Sequence, residues 1–280
     1  MSRAHKFKDK VVWITGASSG IGEALALEFA AQGAKVILSA RTESNLNCVK
    51  ERCIALTANS DNVLVLPLDI TNAETIPMAV ERAQKWGGAI DFLINNAGVT
   101  QRSSCLNTSM DAYRAIIEVD VMGQIALTKA VLPIMVEQKS GYFAVTSSIS
   151  GKVGVPFRTG YCAAKHAMMG FFDSLRTEVA HYGIKVTTIT PGYIRTDISS
   201  RAIIRDGETY GRKDAEIRGG MDVSECAKVI MNGFKKGKPE IAVGKGFEMN
   251  ALWLKRLFPR LLFKMAESQY HKMAKNNDFS

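Results

Sequence analysis

The 280-residue sequence predicts an α/β fold: a doubly wound parallel sheet of about seven strands, with helices on both faces and a C-terminal helical extension. Two observations carry this prediction. Short runs of strand length alternate along the chain with longer helical patterns, which is the order that βαβ units produce. Glycines or polar residues also follow several of the apolar runs, as expected where the carboxyl ends of parallel strands hold a ligand.

The first predicted βαβ unit begins near the N-terminus. Residues 11–14 and 35–39 predict parallel strands, the first of them buried on both faces. Between them, Gly16, Gly20 and Gly22 open a helix, and glycines at such a turn let backbone amides approach a pyrophosphate. The spacing is G-x-x-x-G-x-G rather than G-x-G-x-x-G, so a tight turn with close helix–strand packing is an alternative interpretation.

The residues after the second predicted strand indicate which dinucleotide is bound. Many NAD-binding units place Asp or Glu there to hold the ribose 2′-hydroxyl. Here Ser39, Ala40 and Arg41 occupy that place. An acidic residue repels a 2′-phosphate, whereas an arginine binds it through charge-assisted hydrogen bonds. Arg41 therefore predicts NADP(H) as the cofactor.

The next two predicted strands also end in polar side chains. Residues 63–70 predict the third strand, which ends near Asp69, a carboxylate suited to an adenine amino group. Residues 90–98 predict the fourth, which ends near Asn95 and Asn96. Ligands bind at this edge of parallel sheets, so these side chains are expected near the dinucleotide.

The remaining elements continue the alternation. Helices are predicted at residues 109–138, 157–181 and 223–234, and strands at residues 142–147, 185–190 and 240–243. A chain of this length suits one domain of this kind. We therefore expect a single Rossmann-type dinucleotide-binding and catalytic domain over residues 1–247 and an extension over residues 248–280.

A tyrosine and a lysine four residues apart form the most informative pair in the sequence. Within YCAAK, Tyr161 and Lys165 share one face of the predicted helix, a single turn apart. A lysine ammonium favours the ionised form of a nearby phenol, which can then exchange a proton near neutral pH. Ser148, upstream, can hydrogen-bond the oxygen where that proton arrives. The set suits interconversion of a carbonyl and an alcohol, although the Y-x-x-x-K spacing alone also fits a solvated helix face.

Ordered motifs along the chain resemble the short-chain dehydrogenase/reductase family. TGASSGIG, Asp69, NNAG, Ser148, YCAAK and PGYIRT occur in the order and spacing of that family, over roughly residues 7–245. The resemblance implies Tyr161 as the acid/base, Lys165 as its electrostatic partner and ribose holder, and Ser148 as the anchor of the substrate oxygen. The segment VPFRTGYCAAKHA and the C-terminal extension are similar to the group around hydroxysteroid dehydrogenases and membrane-associated reductases.

The motifs and the resemblance together give the expected site residues. The expected cofactor-binding residues are Gly16, Ser18, Ser19, Gly20, Ile21, Gly22, Arg41, Asp69, Ile70, Asn96, Ala97, Gly98, Tyr161, Lys165, Pro191, Gly192, Ile194 and Thr196. The expected catalytic residues are Ser148, Tyr161, Lys165 and Asp120, and the expected substrate-binding residues are Ser148, Ser150, Phe157 and Tyr193. No metal site is expected, because the cysteines and histidines show no metal-type spacing.

One position departs from the family pattern. The family usually carries Asn in the helix after the fourth strand, where the segment EVDVMG places Asp120. That Asn is thought to shape the helix and to hold a water linked to the lysine. Aspartate is nearly isosteric, but its negative charge opposes Lys165, so we expect reduced or pH-shifted activity. If Asp120 weakens catalysis, the alternative function is a nucleotide-binding regulator or scaffold. The simplest interpretation of Asp120 itself is neutral drift at a tolerant position.

Much of the positive charge lies at the C-terminal end. The net charge is +9, and residues 245–280 hold seven Lys or Arg against three Asp or Glu, interleaved with apolar side chains. Such a tail can lie on an anionic membrane, cover an apolar pocket, or pack on the parent domain or another subunit. Nucleic-acid binding is not expected, because the charge is local and no recognition module is visible. The polar start, with no apolar stretch of spanning length, predicts a cytoplasmic protein with peripheral membrane contact through residues 248–280.

The loop at residues 196–221 is the predicted substrate side of the site. Its isoleucines favour an apolar, lipid- or steroid-like substrate, while its bases fit a carboxylate or phosphate and are diluted by four acids. We expect an NADP(H)-dependent oxidoreductase that interconverts a ketone or aldehyde and an alcohol on such a substrate. By family analogy, helices 109–138 and 157–182 form a subunit interface, so a homodimer or homotetramer is expected.

Overall fold

The computed structural model describes residues 6–57, 59–205, 207–212 and 214–275. Residues 1–5 of the predicted domain and residues 276–280 of the predicted extension lie outside the described residues. The strands are β1 (Val11–Thr15), β2 (Lys35–Ser39), β3 (Val63–Val65), β4 (Phe92–Asn95), β5 (Gly141–Thr146), β6 (Ile184–Pro191), β7 (Ile203–Ile204), β8 (Glu208–Thr209) and β9 (Glu240–Val243). All but β7 and β8 form one parallel sheet in the order β3-β2-β1-β4-β5-β6-β9. This order confirms the predicted doubly wound sheet, in which the order of strand addition reverses between β1 and β4.

Helices cover both faces of the sheet. They are α1 (Gly20–Ala30), α2 (Glu43–Thr57), α3 (Ile76–Gly87), α4 (Met110–Ile117), α5 (Gly123–Glu137), α6 (Thr159–Val179), α7 (Ala215–Arg218), α8 (Val223–Lys235), α9 (Ala251–Leu257) and α10 (Pro259–Lys275). The first face packs against α1, α2 and α8, and the second packs against α3, α4, α5 and α6. Each face therefore has its own apolar core, as a doubly wound fold requires.

The apolar run in β1 is explained by burial on both faces. Val12 and Ile14 belong to the core on the first face, whereas Val11 and Trp13 belong to the core on the second. All four side chains are at most 2% exposed. Burial of each such side chain stabilises the fold by roughly 1.5–3 kcal/mol, which favours an apolar residue at every position of the strand.

The third strand is shorter than the sequence predicts. Residues 63–70 were expected in it, but β3 ends at Val65. The chain still runs beside β2 beyond that point, since the amides of Leu66 and Leu68 donate to the carbonyls of Leu38 and Ala40. Pro67 lies between these two, at a position of the edge strand where a backbone amide would face away from β2, so its missing amide proton costs no hydrogen bond to β2.

The predicted helix at residues 109–138 contains a π turn. Helix α4 runs into a wider turn at Glu118–Met122, and α5 continues from it. A π turn places one more residue in the turn than an α-helix does, and such turns are frequent at functional sites. Asp120 lies in the middle of this turn and is fully buried.

The continuous helix Met110–Glu137 corrects one expectation from the sequence. No stretch of membrane-spanning length was expected, yet in the described part of the chain this one helix is long and apolar enough by length and composition. Its side chains Leu127, Val131 and Met135 are fully buried in the core of the second face. We therefore interpret it as a core helix of the fold.

The C-terminal extension is helical, as predicted, and contacts the segment between β5 and α6. The ammonium of Lys255 in α9 donates to the carbonyl of Lys152 at 2.6 Å. The ring of Tyr270 in α10 stacks on that of Phe157, with 5.2 Å between the centroids. Neither helix contains a buried residue. The extension thus contacts its own domain through a few side chains and leaves most of its apolar surface in solvent.

Candidate active site

A cavity of about 350 Å³ lies at the carboxyl ends of the strands. It collects most of the residues that the sequence assigns to the site. The predicted residues that line it are Gly16, Ser18, Ser19, Gly20, Ile21, Arg41, Asp69, Ile70, Asn96, Ala97, Gly98, Ser148, Tyr161, Lys165, Pro191, Gly192, Tyr193, Ile194 and Thr196. These residues come from the ends of β1, β2, β4, β5 and β6 and from the start of α1 and α6. Motifs far apart in sequence therefore meet at one edge of the sheet.

The glycine turn combines close packing with a left-handed backbone. Gly16 has a φ of +64°, and a Cβ on it would lie 2.8 Å from the Cα of Ala97. Gly22 is buried behind the turn, where a Cβ would lie 2.3 Å from the carbonyl oxygen of Gly16. Gly22 therefore allows α1 to approach the turn, and it is not among the residues that line the cavity. The helix begins at Gly20, so its N-terminal amides and dipole face the cavity.

Hydrogen bonds within the chain hold this turn against the end of β4. The amide nitrogen of the Asn96 side chain donates to the carbonyls of Thr15 and Gly16, at 3.2 and 3.3 Å. The hydroxyl oxygen of Thr15 accepts from the backbone amides of Asn96 and Ala97. The side chain of Asn96 thus acts within the protein, tying β1 to β4 at the point where the sheet order reverses.

The far end of the cavity carries two arginines. Arg41 lines it just after β2, together with Thr42 and Asn45. Arg201 lines it as well, and its guanidinium donates to the hydroxyl of Ser19 in the glycine turn at 3.1 Å. The sequence places Arg201 only in the substrate loop, and its contact with the turn depends on how that loop folds. Two cations beside a helix N-terminus suit a ligand with several phosphates.

Ser148, Tyr161 and Lys165 converge at the near end of the cavity. Tyr161 lies in the first turn of α6 and Lys165 one turn later, and the ammonium of Lys165 is 5.5 Å from the centroid of the Tyr161 ring. That ammonium also donates to the carbonyl of Thr146 at 3.2 Å. The hydroxyl of Ser148, just beyond β5, accepts from the amide of Ser150 at 3.1 Å. All three side chains are at least nine-tenths buried, so a charge that develops here is poorly screened by solvent.

Asp120 reaches the same group from behind the cavity. Its carboxylate is 3.1 Å from the ammonium of Lys165 and accepts from the amide of Val99 at 2.7 Å. Burial raises the pKa of Asp120 above its ordinary value, against the attraction of Lys165. Burial is the largest influence on the pKa of Lys165 and disfavours its charged form, but the Asp120 carboxylate and Tyr161 together outweigh it, so this pKa lies above its ordinary value. Asp120 is thus a direct ion-pair partner of Lys165.

Two of the expected substrate-binding residues are placed away from the cavity. Ser150 is buried and contacts Ser148 through its backbone amide, so it orients the Ser148 hydroxyl. Phe157 has a φ of +62°, and its ring packs on Tyr270 of the extension. Neither is among the lining residues. Tyr193 does line the cavity, and burial raises its pKa, which keeps its hydroxyl protonated at neutral pH.

Two arginines on the substrate side are absent from the set predicted from the sequence. Arg102 and Arg158 both line the cavity, and both contact the carboxylate of Asp214. Burial and then the nearby Arg158 lower the pKa of Arg102 below its ordinary value. Arg158 lies three residues before Tyr161, so the sequence offers a signal for it. Arg102 offers none, because only the folded loop brings Asp214 to it.

The described residues contain no group of three or more His, Cys, Asp or Glu side chains arranged to hold a metal ion. The five cysteines are all free thiols. The glycine turn, the helix N-terminus and the two arginines next to it fit a dinucleotide.

Comparisons with known proteins agree with the fold and the motif order. A family model described as short chain dehydrogenase matches residues 10–205. The chain is 39% identical over 272 residues to a dehydrogenase/reductase SDR family protein 7-like of Anopheles gambiae, covering 96% of this chain and 86% of that protein. It is 36% identical over 275 residues to dehydrogenase/reductase SDR family member 7B of Danio rerio, covering 97% and 89%. The crystal structure of levodione reductase superposes with a TM-score of 0.78 at 27% identity, covering 87% of this chain and 99% of that one.

Proposed function

The chain belongs to the short-chain dehydrogenase/reductase family of oxidoreductases, and from that premise we propose that it is an NADP(H)-dependent enzyme interconverting a ketone or aldehyde and the corresponding alcohol. Members of this family act on small molecules with a nicotinamide cofactor. The observation that carries the proposal is the convergence of Ser148, Tyr161 and Lys165 on one cavity that also contains the glycine turn. The coenzyme, the direction and the substrate class are the parts that experiment must test.

The chemistry follows from the positions of three side chains. A bound nicotinamide dinucleotide supplies or accepts the hydride. The hydroxyls of Ser148 and Tyr161 donate hydrogen bonds to the substrate oxygen and stabilise the negative charge that develops on it. In the reductive direction Tyr161 gives its proton to that oxygen, and the Lys165 ammonium stabilises the resulting phenolate. Asp120 holds Lys165 in place and keeps it protonated, as the raised pKa of Lys165 indicates.

The preference for NADP(H) rests on the two arginines at the far end of the cavity. Arg41 follows β2, where NAD-binding units carry an acidic residue for the ribose hydroxyl. Arg201 adds a second positive charge at Ser19. Because a 2′-phosphate adds negative charge to the ligand, this end of the cavity favours the phosphorylated dinucleotide.

The substrate is an apolar, lipid- or steroid-like carbonyl compound or alcohol. The side chains that support this proposal line the near end of the cavity and are Val99, Ile149, Tyr193, Ile198 and Ile217. Apolar walls with few polar groups are the usual lining of a small-molecule site. The alternative of a nucleotide-binding regulator finds no support in the comparisons, and Asp120 forms an ordered ion pair with Lys165.

We also propose how the molecule is placed in the cell. Residues 1–247 form the catalytic domain, and residues 248–280 make peripheral contact with a membrane surface from the cytoplasm. Five large apolar side chains of the extension support this, each about half exposed or more: Trp253, Leu257, Phe258, Leu261 and Phe263. Basic residues alternate with them, as in helices that lie on anionic lipid.

The partly exposed faces of α5 and α6 support a homodimer or homotetramer, which a monomeric mass in sedimentation equilibrium would contradict.

The test of the catalytic proposal is Tyr161→Phe. This change removes the proton donor and keeps the ring, so turnover of any ketone substrate should fall by about 10² to 10⁴ while NADPH affinity stays the same. Affinity is measured by fluorescence titration with NADPH, and turnover by NADPH oxidation with a panel of lipid and small ketones. Turnover near that of the unmodified protein would refute the assignment of Tyr161.

A further inference from the structure

Two arginines at the substrate end of the cavity share one carboxylate as their counter-ion. Arg102 and Arg158 both line the cavity, while Asp214, which both contact, is not among the lining residues. Asp214 is buried and uses one carboxylate oxygen for both arginines. The two guanidiniums therefore face the cavity with one carboxylate behind them, which leaves an excess of one positive charge among the described residues of this cluster.

Arg102 is engaged mainly within the protein. Its side chain is 1% exposed. It donates to Asp214 through two nitrogens, one of them Nε at 2.8 Å. Its third nitrogen donates to the hydroxyl of Thr100 and to the carbonyl of Gln101. Arg102 thus fixes Asp214 and contributes charge, with four of its five N–H donors used in these bonds.

Arg158 differs, because most of its hydrogen-bonding capacity is unused. Its contact with Asp214 is a single hydrogen bond at a long 3.3 Å. In the part of the chain that the structure describes, its other guanidinium donors have no hydrogen-bond partner. Its side chain is 11% exposed, and the guanidinium lies 5.9 Å from the centroid of the Tyr193 ring. A buried guanidinium without partners for its donors is costly unless a ligand supplies them.

The position of Arg158 relates this cation to the reacting atoms. It immediately precedes α6, three residues before Tyr161, and its carbonyl accepts from the amide of Cys162 at 2.7 Å. Two other acids act on the neighbouring Tyr193. Glu216 is exposed to solvent, and Glu248 accepts from the backbone amide of Tyr193, and neither lines the cavity. They therefore do not cancel the charge that Arg158 presents inside it.

We propose that Arg158, supported by Arg102, binds a carboxylate of the substrate, so that the substrate combines an apolar body with one anionic end. The excess of a single positive charge matches a carboxylate, and the fork of a guanidinium binds carboxylates through two parallel hydrogen bonds. The carboxylate lies on the Arg158 side and the carbonyl or alcohol carbon on the Tyr161 and Ser148 side. This inference rests on the proposed function, since it assigns the substrate of the same site.

The experiment compares three ketones that share one scaffold, one with an anionic group opposite the acetyl group and two with a neutral one: 4-acetylbenzoate, its methyl ester and 4-acetylbenzamide. Each is titrated into the protein saturated with NADPH, and binding is followed by cofactor fluorescence and by NADPH oxidation. The acid should bind at least about tenfold more tightly than either neutral compound, as expected for hydrogen bonds to a charged group. Equal binding of the three, tighter binding of the ester, or binding of none of them would overturn the proposal.

Variants then locate the effect. In Arg158→Gln the preference for the acid should disappear, whereas Arg158→Lys, which keeps the charge without the fork, should retain part of it. Arg114→Gln is the matched control, because Arg114 is an exposed arginine outside the cavity. A preference that survives in Arg158→Gln would refute the role of Arg158. If the proposed function itself were wrong, NADPH would fail to bind to the unmodified protein, a result separate from any comparison of ketones.

Discussion

At the scale of single residues, the ion pair between Asp120 and Lys165 sets the electrostatics of the reacting group. The Asp120 carboxylate and the Lys165 ammonium are buried and 3.1 Å apart. The negative charge of Asp120 therefore partly offsets the positive charge that Lys165 places beside Tyr161. An Asn at this position would leave the lysine charge uncompensated. Asp120 therefore changes the charge beside Lys165 and leaves the hydrogen-bond donors of the site in place.

Asp120→Asn should move the pH dependence of kcat/KM to lower pH by about one unit, on the order of 1.4 kcal/mol. Without the carboxylate, which raises the pKa of Lys165, that pKa falls. Lys165 then loses its proton at a lower pH, which moves the profile in that direction. The measurement is the pH profile of NADPH oxidation.

The control for that profile is Asp111→Asn, the same change at a carboxylate that is 90% exposed. Its profile should match that of the unmodified protein. A profile of Asp120→Asn that stays in place, or that moves to higher pH, would show that Asp120 does not act through charge.

Arg41→Ala should weaken NADPH binding by about tenfold or more and leave NADH binding almost unchanged, since only NADPH carries the phosphate that the guanidinium binds. Parallel fluorescence titrations with the two coenzymes measure this. Arg82→Ala removes an exposed arginine from α3, outside the cavity, and serves as the control. Unchanged NADPH affinity in Arg41→Ala would contradict the cofactor assignment.

At the scale of elements, helix α1 packs closely on the glycine turn through Gly22. Gly22→Ala places a methyl group 2.3 Å from the Gly16 carbonyl oxygen and 2.5 Å from the Asn96 side chain. We expect a loss of about 1–3 kcal/mol in the free energy of unfolding and weaker dinucleotide binding, because helix and turn must separate. Urea denaturation and NADPH titration measure the two effects.

Gly170→Ala is the matched control for that change. Gly170 lies inside α6, and a Cβ there meets nothing within 4 Å. Alanine is the better helix former by roughly 1 kcal/mol, so this variant should be more stable than the unmodified protein. If Gly22→Ala were as stable as Gly170→Ala, close packing of α1 would not be the reason for the glycine.

Most elements could be predicted from the sequence, and the exceptions have local causes. The sheet strands and the helices α1, α4, α5, α6 and α8 follow from periodicity and from burial on two faces, whereas α2 and α3 were not among the predicted helices. The π turn at Glu118–Met122 could not be predicted, because the apolar pattern continues through it and only one residue is added. The site residues could be predicted where a sequence motif contains them, as for Tyr161 and Lys165. Arg102 and Asp214 could not be paired beforehand, since they meet only through the folded substrate loop.

At the scale of the whole molecule, the proposed membrane contact assigns a role to the extension. Trp253 and Phe263 are 68% and 61% exposed. Replacing both by alanine should strongly reduce co-sedimentation with anionic phospholipid vesicles, because apolar insertion and attraction of the basic residues act together. Activity on a soluble ketone should stay near that of the unmodified protein.

The control for the vesicle experiment is Met78→Ala, which removes an apolar side chain that is 69% exposed on α3. It should sediment with the vesicles as the unmodified protein does. Equal co-sedimentation of the double variant and the control would exclude the extension as the membrane contact, leaving a lid or a subunit contact as its role.

The hydrogen bonds that join Thr15 and Gly16 to Asn96 affect the free energy of ligand binding. Because side-chain and backbone hydrogen bonds within the protein fix the turn, its conformational entropy is lost when the chain folds. A dinucleotide that binds there meets a preorganised surface, and little of its contact free energy is spent on ordering the loop. The same hydrogen bonds join the two halves of the sheet at β1 and β4. A ligand that binds to this turn in the folded state therefore stabilises the contact between the two halves.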